Sequence, residues 1–183
     1  LAAAINGVLK ATITTGTVDD TLTAITNVNT SDDITFTTND TSVDASNLVA
    51  LDAKVDTFGV ATITDITEVY NTANLASVVT NALAIVDGNE DVTITGGAIS
   101  ASDTNTIAGA TSGAVTATIA TGDVTVTYDA IKTNVNTSDN ITFTTNSTTA
   151  DATDLVALNA LIDTANFTSI NTITESYNTA SLT

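Results

Sequence analysis

Asn27-Val-Asn-Thr-Ser-Asp32 returns as Asn134-Val-Asn-Thr-Ser-Asp139, 107 residues further along the chain. At the same offset Ile34-Thr-Phe-Thr-Thr-Asn39 returns as Ile141-Thr-Phe-Thr-Thr-Asn146, and Leu48-Val-Ala-Leu51 as Leu155-Val-Ala-Leu158. Tyr70-Asn-Thr-Ala73 likewise returns as Tyr177-Asn-Thr-Ala180. Upstream, Thr12-Ile13 and Gly16 match Thr118-Ile119 and Gly122 after one residue of slippage. Self-similarity at a fixed long period is the mark of a repeat architecture and outranks local propensity. It divides the chain into a first long repeat, residues 1–107, and a second, 108–183, within one continuous body. The second repeat stops part-way at Thr183, so a segment of a longer array is expected.

A shorter period lies inside the long one. Thr-apolar-Thr recurs at Thr12-Ile-Thr14, Thr35-Phe-Thr37, Thr62-Ile-Thr64, Thr93-Ile-Thr95, Thr142-Phe-Thr144 and Thr172-Ile-Thr174, with Thr116-Ala-Thr118 in the remaining slot. About four units make one long repeat and about seven fill the chain. In each, alternating Thr and apolar residues predict a short strand, and Asp, Asn and Gly predict the turn after it. A short amphipathic helix follows. Asp44 is placed to cap a helix presenting Leu48, Leu51 and Val55, and Asp151 its counterpart presenting Leu155, Leu158 and Ile162. Asp65-Ile-Thr-Glu68 has capping-box spacing, as does Thr172-Ile-Thr-Glu175, which predicts a helix over 66–74. A further helix is expected over Val78–Val86. A strand and helix this short cannot bury a core alone, so the units must stack. The expected fold is α/β, a right-handed repeat solenoid with a parallel sheet on one face, rungs ~4.8 Å apart and helices opposite.

Composition narrows the function. Twenty-one acids stand against three lysines, with no arginine or histidine, for a net charge of −18. No basic patch exists for nucleic acid or an anionic membrane surface. Without Cys or His there is no thiol nucleophile, imidazole base or zinc site of the usual kind. No run approaches the ~18 apolar residues needed to span a bilayer. The 43% hydrophobic content is too high for a disordered acidic tail. Paired carboxylates recur with the unit, whereas a catalytic pair is expected once, so an enzyme is not expected. An acidic, cysteine-free chain suits an extracellular or cell-surface setting, with neighbouring repeats or subunits as partners.

Three stretches carry a resemblance: Val43-Asp-Ala-Ser-Asn-Leu-Val-Ala-Leu-Asp-Ala53, Gly88-Asn-Glu-Asp-Val-Thr-Ile-Thr95, and Ile99 to Ile107 with Thr111 to Thr118. They resemble the Thr/Ala/Asp-rich tandem repeats of giant extracellular, adhesin-like surface proteins of marine cyanobacteria and related bacteria. The resemblance implies a surface or adhesive setting and carries no catalytic residue. The Gly-Gly-x-Gly-x-Asp nonapeptide of calcium-binding repeat toxins is missing.

Two sets of residues are candidate sites. Alternation should turn Ile13, Phe36, Ile63, Ile94, Phe143 and Ile173 inward. It should turn Thr12, Thr14, Thr35, Thr37, Thr62, Thr64, Thr93, Thr95, Thr142, Thr144, Thr172 and Thr174 outward as a surface array. Such an array is similar to the ice-contacting face of ice-binding solenoids, and equally to an ordinary solvated strand face. The acidic turns supply Asp32, Asp33, Asp87, Glu90, Asp91 and Asp139, hard-oxygen ligands suited to Ca²⁺, the one candidate cofactor. The same residue types also close turns unaided. The leading expectation is a structural repeat segment of a surface, filament or adhesin protein. The alternatives are an ice-binding solenoid, a calcium-dependent adhesion module and a phage-fibre spacer.

Overall fold

The computed structural model describes residues 7–70 and 74–175. In chain order, β1 (Lys10–Thr12) leads to α1 (Val18–Ala24). Next, β2 (Asp33–Thr37) and β3 (Ser42–Asp44) lead to α2 (Ala45–Asp52), and β4 (Thr57–Gly59) and β5 (Asp65–Val69) to α3 (Leu75–Ile85). Then β6 (Asp91–Thr95) leads to α4 (Ala101–Ala108) and β7 (Val115–Gly122) to α5 (Val124–Ile131). Finally β8 (Asn140–Thr145) and β9 (Thr149–Asp151) lead to α6 (Ala152–Leu161), before β10 (Thr164–Asn166) and β11 (Thr172–Thr174).

The fold is α/β with parallel sheets. Among the described residues the strands form sheets ordered β1-β2-β4, β10-β8-β7-β6-β5-β3 and β11-β9, every pairing is parallel, and no sheet closes on itself. Each helix from α1 to α6 packs against the next in sequence. The register lines up apolar files: Ala11 opposite Ile34, Ile66 opposite Val92, Val92 opposite Val115, and Phe143 opposite Ala165. Ile66, Val92, Val115 and Ile141 from the strands meet Leu48, Leu51, Val79, Ile107, Ile131 and Leu158 from the helices, all fully buried in one core. Small and β-branched residues suit it, because parallel strands leave little depth between themselves and the covering helices.

The helix caps are local chemistry. Asp44 accepts the Asn47 N–H at 3.0 Å and Asp151 the Thr153 N–H at 2.9 Å, starting α2 and α6 as expected. Leu48, Leu51 and Leu158 are fully buried, while Val55 lies beyond the end of α2.

Two expectations are corrected. Asp65–Glu68 is no capping box: residues 65–69 are strand β5, and Thr172–Thr174 is strand β11. Ile66 and Glu68 alternate inward with period two, and the Glu68 carboxylate turns to the preceding unit. There its Oε2 accepts the Ser46 N–H at 3.0 Å and the Ser46 hydroxyl at 2.6 Å, at the N-terminus of α2. The helix in this region is α3, which starts at Leu75 and includes the Val78–Ile85 part of the expected helix. Several units also hold two short strands rather than one, as in β2 with β3 and β8 with β9.

Candidate functional site: threonine files and acidic turns

All twelve threonines of the expected array are exposed or half-exposed. Of the apolar residues between them, Phe36, Ile63, Ile94 and Phe143 are buried and Ile13 is half-buried. Ile173 departs from the pattern at 62% exposed. It lies in β11, which pairs with β9 alone among the described residues, so nothing described covers its inner face.

The threonines do not share one register. Thr12 faces Thr35, which faces Thr57; Thr93 faces Thr116, which faces Asn140. Thr142 lies between Thr118 and Thr164, and Thr172 faces Thr149 rather than Thr142. Thr62 and Thr64 lie outside the strands, their hydroxyls donating to the carbonyls of Asp40 at 2.8 Å and Thr41 at 3.2 Å. Thr67 and Thr174 hydroxyls are also engaged, each donating at 3.3 Å to a carbonyl of the preceding unit, Val43 and Ala150. Unequal units carry the motif to different stations along the coil, which breaks one long array into short files.

The six acidic candidates separate by what their oxygens already hold. Asp32 is buried: Oδ1 accepts the Leu9 N–H at 2.8 Å, and Oδ2 the Asn29 N–H at 3.1 Å. Asp139 repeats the arrangement, with Oδ1 accepting from Val115 N–H at 2.8 Å and Oδ2 from Asn136 N–H at 2.9 Å. Each carboxylate therefore ties its own turn to the strand of the preceding unit, through charge-assisted bonds. Asp33 faces outward and pairs with Lys10. Asp91 Oδ1 accepts the Ala114 N–H of the following unit at 2.8 Å. Among the described residues no group of three or more acidic side chains converges on a metal-sized point.

Asp87 and Glu90 remain. Glu90 is 3% exposed, and its Oε2 has no hydrogen-bond partner. Burial first, and then the Asp87 carboxyl beside it, push the Glu90 carboxyl above the ordinary range. Both residues line an open groove of about 500 Å³ with Val60, Ile63, Thr64 and Asn89. Asp123 shows the opposite shift: the Ser147 hydroxyl at 2.7 Å and then the Val126 N–H at 3.1 Å hold it below the usual carboxylate range.

Acids that tie one unit to the next are the functional class that the sequence reading missed. Besides Asp32 and Asp139 they include Asp40, which accepts the Val18 N–H at 2.7 Å, and Glu68. Glu175 stands 107 residues after Glu68 and accepts the Thr153 hydroxyl at 3.1 Å, at the N-terminus of α6. Alternation was the available signal. Asp32 and Asp139 each stand two residues before a buried isoleucine, Ile34 or Ile141, and so on the inward face.

A second groove, of about 270 Å³, opens beside β1 and α1 and is lined by Leu9, Ala11, Ile13, Ile25, Val28 and Ile34. Their counterparts in the second long repeat, Val115, Ala117, Ile119, Ile131, Val135 and Ile141, are all buried. There the preceding unit covers them. β6 pairs with β7, Ile99 bridges to Ile119, and α4 packs on α5.

The chain matches no family model, no curated protein sequence and no solved structure. No helix among the described residues is long and apolar enough to cross a membrane.

Proposed function

We propose that this chain is a stretch of right-handed α/β solenoid, serving as a non-enzymatic structural segment of a long extracellular surface, filament or adhesin protein. The observation that carries this reading is functional equivalence across the period. Asp32 and Asp139, 107 residues apart, bind the backbone of the preceding unit in the same way. Glu68 and Glu175 do so for the first residues of α2 and α6. Residues kept for such work are kept for stacking. The groove beside β1 supports the same reading, since its lining is the lining that another unit covers in the second repeat. The Thr/Ala/Asp-rich resemblance supplies the surface setting. The short threonine files do not favour ice binding, which needs one flat plane.

A transplant tests the stacking. Residues 86–114, the unit that covers Val115, are fused ahead of Leu9 so that they meet Ala11 and Ile13. A solenoid gains stability from the added unit, seen as a higher urea midpoint in a single transition. An unchanged midpoint, or a separate transition for the added segment, would overturn the reading.

A further inference from the structure

Glu90 occupies the same station as Asp32 and Asp139, two residues before the buried strand residue Val92. The register places Leu9 opposite Asp32 and Val115 opposite Asp139, and extending the β5–β6 register by one residue places Thr64 opposite Glu90. At the first two stations the facing backbone N–H donates to the carboxylate. At the third it does not. The N–H groups of Thr64 and Asp65 both converge on the Thr41 carbonyl, at 2.9 and 3.1 Å, because β3 begins directly after it. Glu90 has therefore lost the donor that its position normally receives, and its buried Oε2 is left unpartnered.

A buried carboxylate beside a second carboxylate has to be neutralised. The protein offers no cation of its own: Lys10 pairs with Asp33, Lys132 with Asp129, and Lys54 donates to the Val28 carbonyl at 3.3 Å. The groove in front of Glu90 adds neutral oxygen atoms, from the side chains of Thr64 and Asn89, to the two carboxyl groups. We propose that Asp87 and Glu90 form a binding site for one divalent, oxygen-ligated cation of the calcium type. Calcium accepts irregular sets of carboxylate, carbonyl, hydroxyl and water oxygens, whereas magnesium demands a near-ideal octahedron. With only two carboxylates the dissociation constant belongs in the range of about 0.1–1 mM seen for extracellular calcium modules. The site belongs to one unit and does not depend on the solenoid reading.

The test is a titration of the whole chain with calcium chloride at pH 7 and 0.15 M salt, followed by calorimetry and by backbone amide shifts. The expected result is one saturable site, with shifts centred on residues 64 and 87–91. Glu90→Gln and Asp87→Asn should each weaken it at least ten-fold, while Asp129→Asn, which removes a charge elsewhere, should leave it unchanged. Two variants are used so that a folding defect in one, checked by circular dichroism, leaves the other decisive. Absence of saturable binding would overturn the proposal, since the pair would then hold a proton only. Equal weakening in all three variants would overturn it as well, since that is diffuse counterion binding.

Discussion

Asp32 and Asp139 do the same chemistry at different depths, so truncating each to alanine measures what the tie between units contributes. Asp139→Ala removes the acceptor of two backbone donors. One belongs to Val115, which is fully buried, so no water can replace the lost oxygen. An orphaned buried donor costs ~1–3 kcal/mol, and losing a second bond to a charged acceptor brings the total to about 3 kcal/mol. Asp32→Ala exposes a gentler loss. Leu9 is only half-buried, its N–H can be rehydrated, and the cost falls to about 1 kcal/mol. For a chain of this size each kcal/mol moves the melting temperature by about 2–4 °C. The assay is urea unfolding at pH 7, read by far-ultraviolet circular dichroism and by amide exchange, because repeat proteins can lose cooperativity. Equal losses in the two variants, or a loss below about 1 kcal/mol for Asp139→Ala, would refute the argument that buried carboxylates lock successive units.

Two further outcomes follow from the same packing. A Cβ at Gly113 would stand 2.3 Å from the Glu90 carbonyl oxygen and 2.7 Å from Asp91 N, both backbone atoms that cannot swing away. Gly113→Ala should therefore destabilise by about 1–3 kcal/mol and speed amide exchange at the start of β6; a neutral result would contradict the close approach. Glu90 governs a pH effect of defined sign. Its folded pKa lies above the unfolded value of about 4.3, so the native state holds more protons in that window and stability falls as pH rises through it. In chelator, Glu90→Gln should be more stable than the parent at pH 7 and lose that advantage below about pH 4; a stability gap independent of pH would contradict this.

Parallel α/β architecture was legible because it rests on patterns that survive context. Leu48 and Leu51 stand one helical turn apart behind an aspartate, and Ile34 and Phe36 alternate, so their burial follows from geometry alone. Asp65–Glu68 was misread for a physical reason. The spacing that lets a glutamate reach its own helix cap also puts Glu68 on the inward face of a strand, and the deciding partner, Ser46, lies 22 residues away. The threonine motif was read as one register because it repeats. Registry follows chain length between rungs, however, and those lengths are unequal, so Thr62 and Thr172 fall at stations different from Thr35 and Thr142. The candidate acids needed the neighbouring unit in view. Asp32 and Glu90 look alike in sequence, and only the competing Thr41 carbonyl separates a satisfied carboxylate from an orphaned one.

Growth of length on duplication tests the stacked-unit account most directly. Chains carrying one, two and three extra copies of residues 11–117, compared by small-angle X-ray scattering, should lengthen by a constant ~19 Å per copy, four rungs at ~4.8 Å each, with an unchanged cross-section. A larger step, with the flexible profile of separate globules on a string, or a thickening cross-section, would contradict it.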